Sequence, residues 1–422
     1  MIEFNGDSNH HLSALLFGGT LTEPVKETIG IIKTGPNKGK EKTRVVKTPI
    51  RIKGLELKPL DEWMTKKEGV YKSNEEVLSY IAEGKVEAPE DAKAICEAIL
   101  KIRQLQKELS TYYDSTSELV YDLDSCVHPN FVHVKTETGR LSHRLPNVGN
   151  QPKPPSNAMK HFISRYTNGS IVSADYGQLE LVVQAQLSTD GVYMNDVIQG
   201  IDFHCKRLAM KEDIEYAEVV EKCSSDSLWK AKRTQIKQFS FQRAYGAGAS
   251  SISQKTGIDK QEIEGLIKRE AEEYPDLTQW QKDLKREVES TGQYQSITGR
   301  LYKFKKYPAP QWLIEKGVYD NYSPNEILNY MVQGTGTADI VLIMIGQFWR
   351  HKAIYNRDKY LMINTVHDSL LLDCKEEYKE QAKKDLEVLT QWKELCYNRF
   401  KYKWHVPLAI EVSEGDTWYD CF

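Results

Sequence analysis

The chain has 422 residues, of which 28% are charged and 40% hydrophobic, and its formal net charge is −3. This length and balance are typical of a soluble globular protein with more than one domain. The seven cysteines form no CxxC pair, the N-terminal residues lack a signal-peptide pattern, and no apolar run is long enough for a bilayer. These features argue against a disulfide framework, a zinc cage and a membrane partner, and they predict reduced thiols in the cytoplasm.

The first predicted elements are a short helix and a basic segment. SNHHLSALLFGG, from Ser8, predicts a helix that ends at Gly18 and Gly19. Residues 31–54 then contain eight Lys or Arg and one acid, and the alternation after Thr43 predicts a strand or hairpin. Two interpretations stay open: a solvated surface ribbon, or a contact with the DNA backbone, since clustered cations release counterions from phosphate.

The next residues predict a helical stretch and then short strands. The pattern from Ser73 to about Tyr113 is helical, and Ser73 with Glu76 three residues later predicts a capping box. Strands and tight turns are expected before GSIVSAD, a strand that ends at Asp175.

The second half of the chain predicts many helices and a hairpin. Helices are expected from about Leu179 to Gly292, and a long buried helix is expected from about Asn325. YLMINTVHDSLLLD, residues 360–373, predicts an apolar β-hairpin with a polar turn, and the tail after Pro407 predicts one more strand.

RTQIKQFSFQRAYGAG contains Arg233, Lys237, Phe241 and Tyr245 at steps of four before Gly246. Four residues advance a helix by ~400° and ~6 Å, so these side chains share one face. Two cations followed by two rings match a ligand that is charged at one end and flat at the other, such as a nucleoside triphosphate. A solvated helix with ordinary contacts between successive turns explains the stripe about equally well.

Two aspartates follow apolar strand patterns. Asp175 ends GSIVSAD, and Asp368 lies between NTV and SLLLD. Phosphoryl transfer with two Mg²⁺ ions needs acidic oxygens that bridge metals ~3.5–4 Å apart. Either aspartate alone is more typical of a strand end or turn, and their separation in sequence does not show that they are neighbours.

Several stretches together resemble the family A DNA polymerases of the bacterial polymerase I and phage replicative type. SADYGQLELVVQAQLS resembles the first palm motif, RTQIKQFSFQRAYG matches the fingers pattern RxxxKxxxFxxxYG, and VHDSLLLD resembles the palm motif VHDE. TGRLSHRLPNVGNQP resembles the TGRLSS…PNLQNIP stretch. These motifs occur in the family's order, and the resemblance covers nearly the whole chain.

The resemblance implies an α+β, right-hand polymerase fold with a helical thumb and fingers and an antiparallel-sheet palm. It implies template-directed DNA synthesis from dNTPs on a primer–template, with two Mg²⁺ ions. The implied domains are a partial thumb at 1–118 with a basic insertion at about 20–60, the palm at 119–190 and 324–422, and the fingers at 191–323.

The resemblance also implies roles for individual residues. Asp175, Asp368 and the backbone carbonyl of Tyr176 would bind the metals, and Lys237 would join both aspartates as a catalytic residue by donating a proton to pyrophosphate. Glu180 and Phe241 would exclude a ribose 2′-hydroxyl. The dNTP-binding set is Arg233, Lys237, Phe241, Tyr245, His204, Glu180 and Gln178. The DNA-binding set is Arg140, Asn147, Asn150, Asn329, Gln333 and His367.

Several residues depart from the family's pattern. Ser369 stands where a glutamate is usual, and Gly149 stands where a glutamine is usual. Val182 and Asn325 replace arginines. Because these changes remove a charge near the metals and several DNA contacts, they predict a weaker grip on DNA or a need for a helper.

The resemblance begins inside the thumb. The sequence therefore predicts that the 3′–5′ exonuclease and the first thumb helix belong to a separate chain. One alternative is a catalytically weak, polymerase-like DNA-binding subunit of a split replicative polymerase. Another is a single-subunit RNA polymerase, which Glu180 and Phe241 disfavour. A bacterial or phage-infected cell is the expected host.

Overall fold

The computed structural model describes residues 4–133, 135–154, 156–244 and 247–422. The chain divides into two compact units, Met1–Glu118 and Leu119–Phe422. The predicted end of the thumb, at residue 118, coincides with this division, and all of the predicted domain assignments remain predictions.

The first unit combines a short helix, a long hairpin and a helical pair. Ser8 caps the first helix by accepting a hydrogen bond from the backbone N–H of His11. Leu12 and Leu16 of that helix are buried with Leu78 and Ile81 in the core of the unit. The elements are α1 (Asn9–Phe17), β1 (Gly19–Ile31), β2 (Glu41–Ile52), α2 (Glu75–Ala82), α3 (Glu90–Glu108) and α4 (Ser115–Ser117), with a π-helical turn at Leu109–Asp114.

The predicted capping box at Ser73 is wrong. The N-cap of α2 is Asn74, whose side chain accepts a hydrogen bond from the Val77 N–H at 3.3 Å. The buried Ser73 hydroxyl instead donates to the backbone carbonyl of Asn9 at 2.7 Å. Asparagine caps helices as well as serine does. The hydrogen bond from Ser73 to Asn9 therefore explains why Asn74, and not Ser73, is the N-cap of α2.

The second unit contains a four-stranded antiparallel sheet and several two-stranded ribbons. The order of the large sheet is β12-β13-β7-β14, so strands from the middle and the end of the chain become neighbours. The strands are β3 (Val120–Tyr121), β4 (Cys126–Val127), β5 (Asn130–Val132), β6 (Ser142–Arg144), β7 (Ser170–Tyr176), β8 (Gln293–Gln295), β9 (Leu301–Lys303), β10 (Lys306–Pro308), β11 (Asp320–Tyr322), β12 (Tyr360–Val366), β13 (Ser369–Cys374) and β14 (Ile410–Gly415).

Helices pack against one face of this sheet and bury a core there. Other helices bury a second core among themselves. Tyr193, Phe348, Trp392 and Trp404 are buried in the core that contacts the sheet. The helices are α5 (Leu179–Ser188), α6 (Gly191–Ile198), α7 (Phe203–Glu212), α8 (Tyr216–Ser225), α9 (Ser227–Ala244), α10 (Ala249–Thr256), α11 (Lys260–Glu273), α12 (Pro275–Thr291), α13 (Gln311–Ile314), α14 (Pro324–Gln333), α15 (Leu342–His351), α16 (Lys379–Leu386) and α17 (Trp392–Phe400). Short 3-10 turns lie at Asp61–Trp63, Val148–Asn150, Ala158–His161, Ala353–Tyr355, Glu376–Tyr378, Glu387–Thr390 and Trp418–Cys421.

The long buried helix expected after Asn325 is present, but it is not a uniform α-helix. Between α14 and α15 the residues Gly334–Val341 form a π-helix, and all eight are buried. Within the described residues, no helix is both long and apolar enough to cross a membrane.

Candidate active site

The strand register brings Asp175 and Asp368 together. Asp175 lies near the end of β7, and its neighbour across the ladder is Ser369, the residue after Asp368. The backbone N–H of Tyr176 donates to the carbonyl oxygen of Asp368 at 3.2 Å. Both carboxylates therefore sit at the same end of two adjacent strands, the arrangement that the sequence alone could not establish.

The two carboxylates interact electrostatically. Burial, together with the negative charges of Asp368 and Glu411, raises the pKa of Asp175 to about 6, whereas the positive charge of Lys153 acts in the opposite direction. Two carboxylates at one place repel each other unless a proton or a cation separates them. This end of the sheet is therefore poised to bind positive charge.

The donors at this place are of the kind that Mg²⁺ prefers. Carboxylate and carbonyl oxygens are available from Asp175, Asp368 and Tyr176, and Mg²⁺ commonly uses only one or two carboxylates while keeping several waters. Within the described residues, no three His, Cys, Asp or Glu side chains form a complete metal cage. The residues present therefore fit a metal that substrate oxygens and water help to coordinate.

Ser369 supports the β-hairpin turn instead of adding a charge. Its hydroxyl donates to the backbone carbonyl of Val366 at 2.9 Å, and the Thr365 hydroxyl donates to the carbonyl of Ser369 at 2.8 Å. On the opposite side of β7, Glu411 of β14 is the register partner of Asp175. Sequence reasoning missed Glu411, because only the strand pairing shows that the tail returns beside Asp175.

A second group of predicted residues lies where α7 meets α9. Both Nε and Nη2 of Arg233 donate to Oδ2 of Asp202, at 3.0 and 2.6 Å. The other carboxylate oxygen of Asp202 accepts from the backbone N–H groups of His204 and Cys205 at 2.8 and 3.1 Å. Asp202, which sequence reasoning also missed, thus caps α7 and fixes Arg233 beside it.

His204 and Lys237 belong to the same cluster. The Nδ1 atom of His204 lies 3.0 Å from the Ser240 hydroxyl oxygen. Burial, together with the positive charges of Arg207, Arg233 and Lys237, lowers the pKa of His204 to about 4, whereas the negative charge of Asp202 acts in the opposite direction. His204 is therefore a neutral ring at neutral pH, set among cations that suit an anionic ligand.

The structure describes less of the two aromatic residues of the stripe than of its two cations. Phe241 lies within α9, but its side chain is outside the described part of the structure, and so is the whole of Tyr245. The cationic half, Arg233 and Lys237, lies on α9 as the spacing predicts.

Glu180 and Arg140, predicted for different ligands, are neighbours. Glu180 lies in the first turn of α5, with Oε1 3.5 Å from Nη2 of Arg140, and each side chain is 27% exposed. Gln178 immediately precedes α5 in a left-handed conformation and is exposed. The end of β7 and the start of α5 therefore present four of the predicted residues, Asp175, Tyr176, Gln178 and Glu180, within six positions.

The remaining residues of the DNA-binding set lie on three separate segments of the second unit. Asn147 and Asn150 are exposed around the 3-10 turn Val148–Asn150. Asn329 and Gln333 lie on α14, and the Oδ1 atom of Asn329 is buried with no hydrogen-bond partner among the described residues. Such an orphaned acceptor is costly unless a ligand or water completes it.

His367 connects one of these segments to the two aspartates. It precedes Asp368 in the hairpin turn, has φ of +56°, and is exposed. Burial of part of its ring lowers its pKa, and the charge of Arg140 contributes to the same shift. His367 and Arg140 are therefore close enough to interact.

The sequence matches DNA polymerase family A over residues 50–420, which is most of the chain. The chain belongs to DNA polymerase family A. Among its curated relatives, the thermostable DNA polymerase I of Thermus filiformis is 30% identical over 339 residues, which cover 80% of this chain and 38% of that protein. DNA polymerase I of Treponema pallidum is 29% identical over 330 residues, which cover 77% of this chain and 30% of that protein.

A solved structure has the same fold as this chain. The POL domain of Pol1 from M. smegmatis, in complex with DNA primer-template and dNTP, matches with a TM-score of 0.67 and 21% sequence identity. The match covers 87% of this chain and 59% of that chain. The right-hand polymerase fold expected from the sequence is thereby confirmed, and the matched region is the polymerase domain of much longer relatives.

Gly149 stands where the resemblance to the family implies a glutamine, and the structure offers a reason for the glycine. A Cβ atom placed on Gly149 would lie 2.7 Å from Nδ1 of His143, a side chain that is only 6% exposed. His143 packs edge-on against Phe131, with ring centroids 4.7 Å apart, and occupies the second serine position of the TGRLSS pattern. The imidazole therefore fills the space that a side chain at 149 would need.

We expect Gly149→Gln to lower the free energy of unfolding, because the new side chain would collide with that of His143. Overpacking of this kind costs about 1–3 kcal/mol. His143→Ser combined with Gly149→Gln restores the family's pair and should recover most of the lost stability, as measured by urea unfolding. His143→Ser alone is the control for loss of the imidazole. A double variant no more stable than Gly149→Gln would contradict this account.

We expect the ring of His204 to titrate near pH 4 in the folded protein, because burial and the neighbouring positive charges together lower its pKa to about 4. In Asp202→Asn its pKa should fall further, because the Asp202 charge raises it. NMR titration of the ring protons, assigned with His204→Gln, measures both values. A midpoint in the ordinary histidine range, or an increase in Asp202→Asn, would disprove this arrangement of charges.

Proposed function

We propose that this domain catalyses template-directed addition of dNTPs to the 3′ end of a DNA primer, with two Mg²⁺ ions. The observation that carries the proposal is that Asp175 near the end of β7 and Asp368, which immediately precedes β13, lie side by side, so that the negative charge of Asp368 helps to raise the pKa of buried Asp175. The family membership and the fold support the same conclusion.

The acidic end of the sheet is the proposed catalytic centre. Asp175, Asp368 and the carbonyl of Tyr176 would hold the metals. Bound there, the ions would align the attacking and leaving oxygens and neutralise charge at the transferred phosphorus. The protein's own contribution is positioning, because Asp175 lies on β7 and Asp368 lies in the turn that leads into β13, the strand paired with β7 in the sheet.

The cluster on α7 and α9 is the proposed triphosphate-binding site. Arg233 offers a forked pair of N–H donors, which suits phosphate oxygens. Neutral His204 can donate or accept one hydrogen bond, and Lys237 would donate the proton that leaves with pyrophosphate. Phe241 and Tyr245 keep their predicted roles, beside the sugar and beside the insertion position.

Glu180 and its neighbour Arg140 support a choice of deoxyribose over ribose. The ion pair at 3.5 Å holds the Glu180 carboxylate in one direction. A side chain fixed under the sugar leaves no space for a 2′-hydroxyl, so dNTPs should be preferred over rNTPs. Gln178 and the DNA-binding set would line the substrate and the primer–template, where acceptors common to all base pairs report shape instead of sequence.

Primer extension by the purified chain tests the proposal. With Mg²⁺ and a primed template we expect dNTP incorporation directed by the template, and much slower incorporation of rNTPs. Equal use of rNTPs would favour the RNA polymerase alternative. Binding of the primer–template without any extension would favour the catalytically weak subunit.

A separate chain with the 3′–5′ exonuclease and the first thumb helix remains a prediction. The matches concern the polymerase domain and offer no support for such a partner. Cytoplasmic location in a bacterial or phage-infected cell likewise remains a prediction. Extension assays with and without a candidate exonuclease chain, scored by processivity, would test the partnership.

A further inference from the structure

The β1–β2 hairpin carries a concentration of positive charge that the proposed catalytic centre does not use. Between residues 26 and 53 the sequence has nine Lys or Arg and two Glu, although the whole chain has a formal net charge of −3. Nearly all of β2 is exposed, and the family match begins only at residue 50. Most of the hairpin therefore lies outside the residues that match the family.

The tip of the hairpin is an ordered loop. The backbone N–H of Ile32 donates to the carbonyl of Lys40 at 2.9 Å, and the N–H of Gly39 donates to the carbonyl of Ile32 at 2.8 Å. A further bond joins Lys38 N–H to the carbonyl of Gly35 at 3.0 Å. This loop presents Lys33, Lys38 and Lys40 on a defined backbone, so little ordering would be needed when they meet a partner.

The strands extend the charge along the hairpin. Lys26 is paired with Val45, so Lys26, Lys47 and Arg51 share one face over ~20 Å of strand. The only acid of the hairpin that pairs with a cation in the described structure is Glu27, which lies 3.4 Å from Arg44. Among the described residues, no ion pair involves Lys33, Lys38 or Lys42, so their charges remain available to an external anion.

We propose that the β1–β2 hairpin binds the phosphate backbone of duplex DNA, independently of base sequence. A 20 Å length of duplex carries about a dozen negative charges, so it complements a cationic face of this length. A protein partner is a poorer match, because the centres of protein interfaces are depleted in lysine. The inference rests on the proposed function in that it adds a second DNA-binding surface to a polymerase domain.

The test is the salt dependence of duplex binding by the full chain. In the tip variant Lys33, Lys38, Lys40 and Lys42 are each changed to Gln. Each lost phosphate contact should reduce the slope of log affinity against log salt by about 0.9. We expect a total reduction of about 2–4 and roughly tenfold or weaker binding at low salt, measured by fluorescence anisotropy. The loss of affinity should be equal for two duplexes of different sequence.

Two matched variants make the result specific. Changing the exposed Lys260, Lys268, Lys282 and Lys285 to Gln removes the same charge elsewhere and should leave the slope near that of the parent. Changing the four tip lysines to Arg keeps the charge and should retain binding. Circular dichroism confirms that each variant is folded.

The outcomes separate this inference from the proposed function. A parent that extends primers, combined with a tip variant that keeps the parent's slope, would overturn the hairpin inference alone. Equal losses of affinity in the tip and control variants would overturn it as well, since they would show that binding depends only on the overall charge of the chain. A parent that binds no duplex would overturn both proposals.

Discussion

Asp175→Ala is expected to reduce primer extension by on the order of 10³-fold or more, because it removes one of two carboxylates proposed to position the metals. This substitution should not lower the stability of the folded protein. The carboxylate of Asp175 is repelled by Asp368, which raises its pKa, so its removal should leave the thermal unfolding midpoint unchanged or slightly higher. The measurements are single-nucleotide incorporation and thermal unfolding of parent and variant.

Two controls distinguish a catalytic effect from a general one. Asp358 is an exposed aspartate of the same unit, and Asp358→Ala should extend primers at the parent's rate. Titration with Tb³⁺, followed by its luminescence, reports cation binding without turnover and should show weaker binding in Asp175→Ala. Extension by Asp175→Ala at the parent's rate would disprove the assignment of the catalytic centre.

Glu270→Ala is expected to destabilise the second unit by about 3–5 kcal/mol, because it leaves a buried arginine without a counter-charge. Oε1 of Glu270 accepts from Nε and Nη2 of Arg207 at 2.9 and 2.6 Å, and Oε2 lies 3.6 Å from Nε of Arg243. Glu270 and Arg207 are 6% and 7% exposed. These ionic contacts join α7, α9 and α11, so the truncation should affect all three helices.

Urea unfolding, followed by tryptophan fluorescence, measures the decrease in the free energy of unfolding caused by Glu270→Ala. Glu272→Ala lies on the same helix in an exposed pair with Lys268 and should cost less than about 1 kcal/mol. Replacing both Arg207 and Glu270, by Met and Leu, should be less damaging than Glu270→Ala, because the buried Arg207 charge is removed with its partner and only the partly exposed Arg243 loses a carboxylate. A loss below 1 kcal/mol for Glu270→Ala would be inconsistent with the triad.

The same triad has a predictable pH dependence. Although burial opposes ionisation, the charges of Arg207 and Arg243 lower the pKa of Glu270 below its ordinary value. A carboxylate with a lowered pKa in the folded state stabilises the protein above the pKa of the unfolded chain. The stabilisation should therefore be complete at neutral pH and be lost only as the pH falls through the folded-state pKa of Glu270.

Local patterns predicted most of the elements that position the candidate site. The steps of four from Arg233 placed both cations on one helix, and the apolar runs around Asp175 and Asp368 predicted the strand that carries Asp175 and the strand that follows Asp368. Those patterns could not show that the two strands are neighbours. The resemblance to a family suggested it, and the pairing of β7 with β13 establishes it.

What the sequence missed depends on contacts between distant segments. Glu411 reaches Asp175 only through the register of β14, and the role of His143 depends on the space beside Gly149. The π-helix at Gly334–Val341 interrupts a run whose composition is that of an ordinary buried helix. Ser73 shows the same limit, because two adjacent residues could cap α2 and a tertiary contact chose between them.

The contact between Arg233 and Asp202 has a consequence for the catalytic cycle. Since the guanidinium already has an anionic partner, an incoming triphosphate would exchange one partner for another instead of filling an empty place. The net affinity would be the difference between the two pairings, which keeps nucleotide binding modest. After each addition, recapture of Arg233 by Asp202 would compete with the departing pyrophosphate and so favour its release, readying the site for the next nucleotide.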